Sequence, residues 1–226
     1  MGPEAVDDSR YVGYRRKLIE EIRGKGISDL EILSLFDNVP RHHFLPEGVR
    51  PRAYEDSPVP IGFGQTASQP SLQAYFISML KLTASDVVLE IGTGCGFLTA
   101  LLAARCDRVH SVERIRELSH RARTALDAME IRNVALLVGD GTIGWRKYAP
   151  YDVIVVSAGA PEIPQALLEQ LAEGGRMLIP VGGRDEQELR FICREDGELI
   201  DEPVAGRCKF VPLLGSFAWD PDEEPV

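Results

Sequence analysis

The middle of the chain alternates between short apolar strands and helices, and this alternation restricts the fold more than any other feature. Nearly continuous runs of Val, Ile and Leu predict strands at 87–91, 109–112, 134–138, 153–156 and 177–181. Helical periodicity predicts helices between them at 97–104, 115–129 and 163–171. Unbroken apolar strands separated by helices are typical of a parallel sheet covered on both faces. We therefore predict a three-layer α/β fold with a doubly wound, mostly parallel sheet, followed by two antiparallel strands at about 188–194 and 204–213.

Two helices are predicted ahead of that alternation, over residues 10–38. Leu30, Leu33 and Phe36 recur at helical spacing, and Asn38-Val39-Pro40 ends the second helix. Residues 40–70 are rich in Pro and Gly, and loops of this length in compact domains are usually functional or disordered. Apolar anchors within it favour an ordered loop, and a helix is predicted to follow at about 70–82.

The composition excludes several classes of protein. The 226 residues are 44% hydrophobic and 27% charged, a globular composition that fits one domain. No uncharged apolar run approaches the roughly 18 residues of a membrane helix, and the acidic start has no apolar region typical of a secretory signal. The four cysteines lack C-x-x-C spacing, so we expect a cytoplasmic protein with reduced thiols.

The net charge of −10 lies largely at the two ends of the chain. The acidic residues there are Glu4, Asp7, Asp8, Asp220, Asp222, Glu223 and Glu224. They predict flexible ends at 1–9 and 218–226, and they leave no cationic excess for nucleic acid. His42 and His43 lack the partners of a metal site, so no metal is expected.

A glycine-rich turn follows the first predicted strand. The strand enters a helix through Glu90-Ile91-Gly92-Thr93-Gly94-Cys95-Gly96-Phe97. A dinucleotide fingerprint needs a third glycine where Phe97 stands. Glu113 ends the second strand, where a carboxylate can accept hydrogen bonds from both ribose hydroxyls, and Asp140 ends the third strand, where it can meet an adenine amino group. This set resembles the S-adenosylmethionine site of the Rossmann-like class I methyltransferases, and the cofactor contacts it implies are Glu90, Gly92, Thr93, Gly94, Gly96, Glu113, Asp140 and Gly141.

Each part of this pattern also has a structural explanation. The glycines can simply form a tight turn, Glu113 can favour the N-terminus of the next helix, and Asp140 can be a turn residue. A nicotinamide dehydrogenase and a non-catalytic binding module are the alternatives from other classes.

Two upstream segments are more specific than the glycine turn. They read VPRHHFLP at 39–46 and AYEDSPVPIGFGQTASQP at 53–70. With the turn, Gly139-Asp140-Gly141, GGRMLIPVG at 174–182 and FVPL at 210–213, they resemble the protein-L-isoaspartate (D-aspartate) O-methyltransferase family over residues 39–217. The resemblance implies an enzyme that methylates the free α-carboxylate of L-isoaspartyl and D-aspartyl residues in damaged proteins and so starts their repair through a succinimide.

The resemblance also implies roles for individual residues. Ser68 matches the family's functional serine, and we expect it to orient the substrate carboxylate; an N-cap is the structural alternative for this serine. Residues implied to bind substrate are Ile61, Gln65, Thr66 and Gln69. The predicted methyltransferase domain spans 10–217, with N-terminal helices and substrate loop at 10–70 and the α/β core at 71–217. We expect a monomer that uses S-adenosyl-L-methionine and acts on isoaspartyl proteins and peptides. An enzyme that modifies Asp in one dedicated precursor peptide is the alternative.

Overall fold

The computed structural model describes residues 8–220, apart from the side chains of Asp8 and Ala205. The chain divides into two compact units, Met1–Met79 and Leu80–Val226. The predicted flexible ends lie largely outside the described residues, and the predicted single domain over 10–217 stays a prediction. None of the helices within residues 8–220 is both long and apolar enough to cross a membrane.

The first unit holds two helices, a hairpin and nearly all of a third helix. These elements are α1 (Val12–Gly24), α2 (Leu30–Asn38), β1 (Val59–Gly62), β2 (Gln65–Ala67) and α3 (Pro70–Leu80). Asp29 caps α2, because its side chain accepts the N–H groups of Glu31 and Ile32. The three helices that the sequence predicts in this region are confirmed.

The loop at 40–70 is ordered, as predicted, but it contains a hairpin that the sequence analysis missed. Strands β1 and β2 pair antiparallel around Phe63 and Gly64. The φ angles of these two residues are 55° and 70°, the left-handed region that short hairpin turns need. Two 3₁₀ segments, Arg41–Phe44 and Glu47–Arg52, precede the hairpin.

The second unit is built on a seven-stranded sheet. Its strands are β3 (Val87–Ile91), β4 (Arg108–Glu113), β5 (Val134–Val138), β6 (Tyr151–Val156), β7 (Leu171–Gly182), β8 (Gln187–Glu195) and β9 (Glu198–Cys208). They lie in the order β5-β4-β3-β6-β7-β8-β9. The first five strands are parallel to one another, and β8 pairs antiparallel with both β7 and β9. The helices α4 (Phe97–Ala103), α5 (Arg116–Ala128) and α6 (Gln165–Leu168) follow β3, β4 and β6.

The connections wind in opposite directions from the centre of the sheet. β3, β4 and β5 progress one way, while β6 and β7 progress the other way. Since βαβ crossovers are right-handed, α4 and α5 lie on one face and α6 on the other. The winding reverses between β3 and β6, and such a reversal opens a ligand crevice at the carboxyl ends of the strands. The predicted fold class is confirmed.

Two predicted elements have wrong boundaries. The helix predicted at 163–171 is only α6, because Leu171 already begins β7 and pairs with Tyr151. The strand predicted at 204–213 is instead β9, at Glu198–Cys208. It starts early because Asp196 and Gly197, with φ of 52° and 82°, turn the chain directly from β8 into β9.

Candidate functional site

The glycines of the turn between β3 and α4 have a backbone conformation that disfavours side chains. Gly92, Gly94 and Gly96 have φ of 93°, 55° and 88°. A Cβ on Gly96 would lie 3.1 Å from the Cβ of Ala122 on α5, and one on Gly92 would lie 3.4 Å from the Cβ of Ser157. The turn therefore passes close to its neighbours and leaves main-chain atoms, not side chains, at the crevice.

Glu113 lies at the end of β4, where the sequence places it, and is 7% exposed. Its Oε2 accepts the N–H of Gly94 at 2.8 Å, and its Oε1 accepts the N–H of Ile115 at 2.9 Å. Each carboxylate oxygen has two lone pairs, so with respect to residues 8–220 each keeps one acceptor site. Two vacant acceptor sites on one carboxylate suit the two vicinal hydroxyls of a ribose.

Asp140 follows β5 and accepts more hydrogen bonds than Glu113 does. Its Oδ1 accepts both the N–H of Thr142 at 2.8 Å and the Oγ1 hydroxyl of Thr142 at 2.6 Å, while its Oδ2 accepts the N–H of Ser216 at 2.8 Å. Burial raises the pKa of Asp140, but these hydrogen bonds outweigh it and hold the pKa below its ordinary value. The side chain of Ser216 adds a further hydrogen bond, so the carboxylate is held in one orientation at the strand end.

Gly141 brings this strand end against β3. A Cβ on Gly141 would lie 2.5 Å from Cγ2 of Ile91, so no other residue fits without a shift. The ends of β3, β4 and β5 thus bring together the glycine turn, Glu113, Asp140 and Gly141. The cofactor role of these residues stays a prediction.

Glu90 lies inside the sheet and is 0% exposed. Its Oε2 accepts hydroxyl hydrogen bonds from Thr99 and Ser111, both at 2.6 Å, and its Oε1 has no hydrogen-bond partner among the described residues. Burial raises the pKa of Glu90 to about 7. Thr93 joins this network through a 2.6 Å hydrogen bond between its hydroxyl and that of Ser111. Glu90 lies in β3 and Thr93 in the turn itself, and their predicted contact with a cofactor stays a prediction.

Thr99 and Ser111 were missed by the sequence analysis, although a signal was present. Thr99 is the one hydroxyl residue in the apolar, buried helix FLTALLA, and Ser111 lies between His110 and Val112 in a strand that is buried from Val109 onward. Buried hydroxyls require a hydrogen-bond partner, and the nearby Glu90 supplies it.

The predicted substrate residues all lie in the first unit. Ser68 stands between β2 and α3, and its carbonyl accepts a 2.9 Å hydrogen bond from the buried guanidinium of Arg41, which also donates to the carbonyl of Ala53 at 3.0 Å. No hydrogen bond between Ser68 Oγ and another described residue is found. Arg41 therefore fixes the backbone of Ser68 and leaves its hydroxyl available.

The N-cap alternative for Ser68 does not match the structure. Helix α3 begins at Pro70, and the N–H of Ser71 donates to Asp56 Oδ1 at 2.8 Å. Asp56 also accepts from Lys25 at 2.5 Å and from Gln69 at 3.1 Å. Burial raises the pKa of Asp56, but these hydrogen bonds outweigh it and lower the pKa. Asp56 thus caps the helix, a role that the sequence analysis missed.

The other implied substrate residues differ in exposure. Ile61 is 1% exposed, whereas Thr66 is exposed on β2. Gln65 donates to the carbonyl of Phe63 at 3.3 Å, and Gln69 is held by Asp56. Their contact with substrate stays a prediction.

Comparison with known proteins gives one consistent family. The model of the family "Protein-L-isoaspartate(D-aspartate) O-methyltransferase (PCMT)" matches residues 14–218. A curated protein-L-isoaspartate O-methyltransferase of Geobacter metallireducens is 47% identical over 92% of this chain and 97% of its own length.

Solved structures agree with this match. A structure named protein-L-isoaspartate O-methyltransferase is 30% identical, with a TM-score of 0.78 over 90% of this chain and 67% of its own. A Plasmodium falciparum protein in complex with S-adenosyl-L-homocysteine is 24% identical, with a TM-score of 0.78 over 88% of this chain and 98% of its own, and it shows the same fold. The chain therefore belongs to the protein-L-isoaspartate(D-aspartate) O-methyltransferase family.

Proposed function

We propose that this chain transfers the methyl group of S-adenosyl-L-methionine to the free α-carboxylate of L-isoaspartyl and D-aspartyl residues in damaged proteins and peptides. The methyl ester then closes to a succinimide, which reopens in part to normal aspartate. The observation that carries this proposal is the family match over residues 14–218. The acceptor sites left on Glu113 support it, because they suit the ribose of an adenosine group.

The proposed reaction requires no general base. A carboxylate has an ordinary pKa near 4, so the acceptor is already ionised at neutral pH. S-adenosyl-L-methionine supplies, when bound, a methyl group attached to a cationic sulfur. The carboxylate oxygen forms a bond to this carbon as the carbon–sulfur bond breaks, and the sulfur keeps the electron pair as a neutral thioether. The protein has to align the two groups and exclude water.

The residues that flank Ser68 in the sequence suit this task because they are neutral, and the guanidinium of Arg41 donates to the Ser68 carbonyl, not to its hydroxyl. No Asp, Glu, Lys, Arg or His lies between Asp56 and Lys81. A cation beside the acceptor would lower its nucleophilicity, whereas a hydroxyl can hold it by a hydrogen bond. We assign this orienting role to Ser68, with Thr66, Gln65, Gln69 and Ile61 as its neighbours in substrate binding.

Glu113 and Asp140 are assigned to the adenosine of the cofactor. The two remaining acceptor sites of Glu113 receive the ribose hydroxyls, and Asp140 receives the adenine amino group. The main chain of Gly92, Gly94 and Gly96 allows close approach of the rest of the ligand, with Gly141 packing behind it. Glu90 and Thr93 hold this turn through the hydroxyl of Ser111, to which both are hydrogen-bonded.

We further propose that the protein acts in the cytoplasm as a monomer, without nucleic acid or membrane. The net charge of −10 supports the absence of nucleic acid. Size-exclusion chromatography with light scattering tests the oligomeric state, and a dimer mass would contradict it. The peptide-tailoring alternative is not favoured, because the curated relative matched over 97% of its length is named for isoaspartate.

The test of the function is methyl transfer from labelled S-adenosyl-L-methionine to a synthetic isoaspartyl peptide and to its aspartyl twin. We expect label in the isoaspartyl peptide and little in the twin. Ser68→Ala should lose most turnover while its Kd for S-adenosyl-L-homocysteine changes little, and Ser78→Ala on α3 is the matched control. Equal labelling of both peptides would contradict the substrate, and normal turnover of Ser68→Ala would remove Ser68 from the mechanism.

A further inference from the structure

Thr142 is fully buried and binds Asp140 twice. It lies in the 3₁₀ turn Gly141–Ile143 and is 0% exposed. Its N–H and its hydroxyl both donate to Asp140 Oδ1, at 2.8 and 2.6 Å. A carboxylate held by one N–H alone can still rotate about its Cβ–Cγ bond, whereas the added short hydroxyl contact restricts that rotation.

The C-terminal segment Gly215–Phe217 docks on the same pair of residues. The N–H of Ser216 donates to Asp140 Oδ2 at 2.8 Å, and the N–H of Phe217 donates to Thr142 Oγ1 at 3.1 Å. The hydroxyl of Thr142 therefore accepts from the segment and donates to the carboxylate. The fit is close, because a Cβ on Gly215 would lie 2.1 Å from Asp140 Oδ1 and 2.8 Å from Cγ2 of Thr142.

These contacts fix the orientation of the carboxylate. Oδ1 accepts two hydrogen bonds from Thr142, Oδ2 accepts the N–H of Ser216, and the side chain of Ser216 adds a further hydrogen bond. The direction in which Oδ2 can accept from a ligand depends on this orientation, which Thr142 and Ser216 set from its two sides. An acceptor in a fixed direction favours a ligand that donates there and disfavours one that presents an oxygen.

We propose that Thr142 is a positioning residue for the nucleobase: with the segment Gly215–Phe217 docked, it aims Oδ2 of Asp140 at the 6-amino group of adenine. This inference rests on the proposed function, which assigns the cofactor and the role of Asp140. It adds a determinant of cofactor specificity in which Asp140 and Thr142 are held by a segment some 75 residues further along the chain. The cofactor is selected for an amino group at this position and against a keto oxygen.

The experiment compares two ligands that differ only at the 6-position of the purine. The full chain is titrated by calorimetry with S-adenosyl-L-homocysteine and with S-inosyl-L-homocysteine, which has a keto oxygen in place of the 6-amino group. The measured quantity is the ratio of the two Kd values. We expect the chain to prefer the adenine ligand, and Thr142→Val to reduce this preference about tenfold. Thr142→Ser, which keeps the hydroxyl, should restore the preference to within about twofold of the unmodified chain.

A second variant tests the docked segment without altering Thr142. Gly215→Ala places a methyl group against Asp140 and should also reduce the preference. Gly183→Ala is the matched control, since its Cβ would meet nothing nearer than 3.9 Å, and it should leave the preference unchanged.

The outcomes separate this inference from the function on which it rests. Equal weakening of both ligands in Thr142→Val would show a merely structural role and overturn the inference, as would an unchanged ratio. Either result leaves the proposed function standing if the chain still methylates the isoaspartyl peptide. A chain that binds neither ligand and methylates no isoaspartyl peptide would overturn both.

Discussion

Glu90 should make the stability of this protein depend on pH in a way that one substitution removes. The side chain is 0% exposed, and burial raises its pKa to about 7 from the ordinary value of 4.5. The folded state therefore favours the neutral acid, while the unfolded chain ionises near pH 4.5. The contribution of Glu90 to stability is fully present below pH 4.5 and is lost as the pH rises towards 7.

The size of the loss follows from the shift in pKa. Each unit corresponds to about 1.4 kcal/mol, so Glu90 ionisation should lower the free energy of unfolding by about 3 kcal/mol between pH 4.5 and pH 8. In Glu90→Gln the side chain is neutral at every pH, and its carbonyl can still accept the hydroxyls of Thr99 and Ser111. The free energy of unfolding of the variant, relative to the unmodified chain, should therefore rise by about 3 kcal/mol over this range.

Urea unfolding at a series of pH values measures this difference, because only the difference between the two proteins isolates Glu90 from the other titrating groups. Glu162→Gln, which changes an exposed carboxylate, is the matched control and should follow the unmodified chain. A constant difference between Glu90→Gln and the unmodified chain across the range would refute the burial of an acid with a raised pKa.

Three further predictions concern the second unit. Gly96→Ala should cost about 2 kcal/mol of unfolding free energy by denaturant titration, because a Cβ there meets Ala122 at 3.1 Å and φ is 88°; an unchanged midpoint would contradict this. Burial lowers the pKa of His110 below its ordinary 6.5, so the contribution of this residue to stability is present above pH 6.5 and is lost as the pH falls. In thermal melts, His110→Phe should therefore lose less stability in acid than the unmodified chain. Equal loss of stability in the two proteins would contradict this. Arg176→Met should cost about 3 kcal/mol, since it leaves Asp86, 2.6 Å from Arg176, buried without its cation; a loss below about 1 kcal/mol would speak against it.

The parallel core could be predicted because its signals are local. Runs such as Val87–Ile91 and Tyr151–Val156 are nearly continuous in apolar residues, interrupted only by Glu90 and Asp152, as is typical of a buried parallel strand. Glu113 and Asp140 could be placed at one edge for the same reason, since the carboxyl ends of parallel strands meet there. The boundary of β9 was missed although Asp196-Gly197 is a common turn pair, because the apolar run around Phe210 gave a stronger strand signal.

The supporting contacts could not be predicted because they join residues far apart in sequence. Ser111 reaches Glu90 only because β3 and β4 pair in the register that sets these two residues side by side. The capping of α3 by Asp56 likewise depends on how the loop at 40–70 folds back. Propensity and periodicity describe single elements, whereas these hydrogen bonds depend on the packing between elements.

The most direct test of the account is a crystal structure of the chain with S-adenosyl-L-homocysteine. We expect the ribose hydroxyls within hydrogen-bond distance of the two Glu113 oxygens and the adenine amino group on Asp140 Oδ2, with the glycine turn against the ligand. A nucleoside bound away from the ends of β3, β4 and β5, or bound there without either carboxylate, would contradict it.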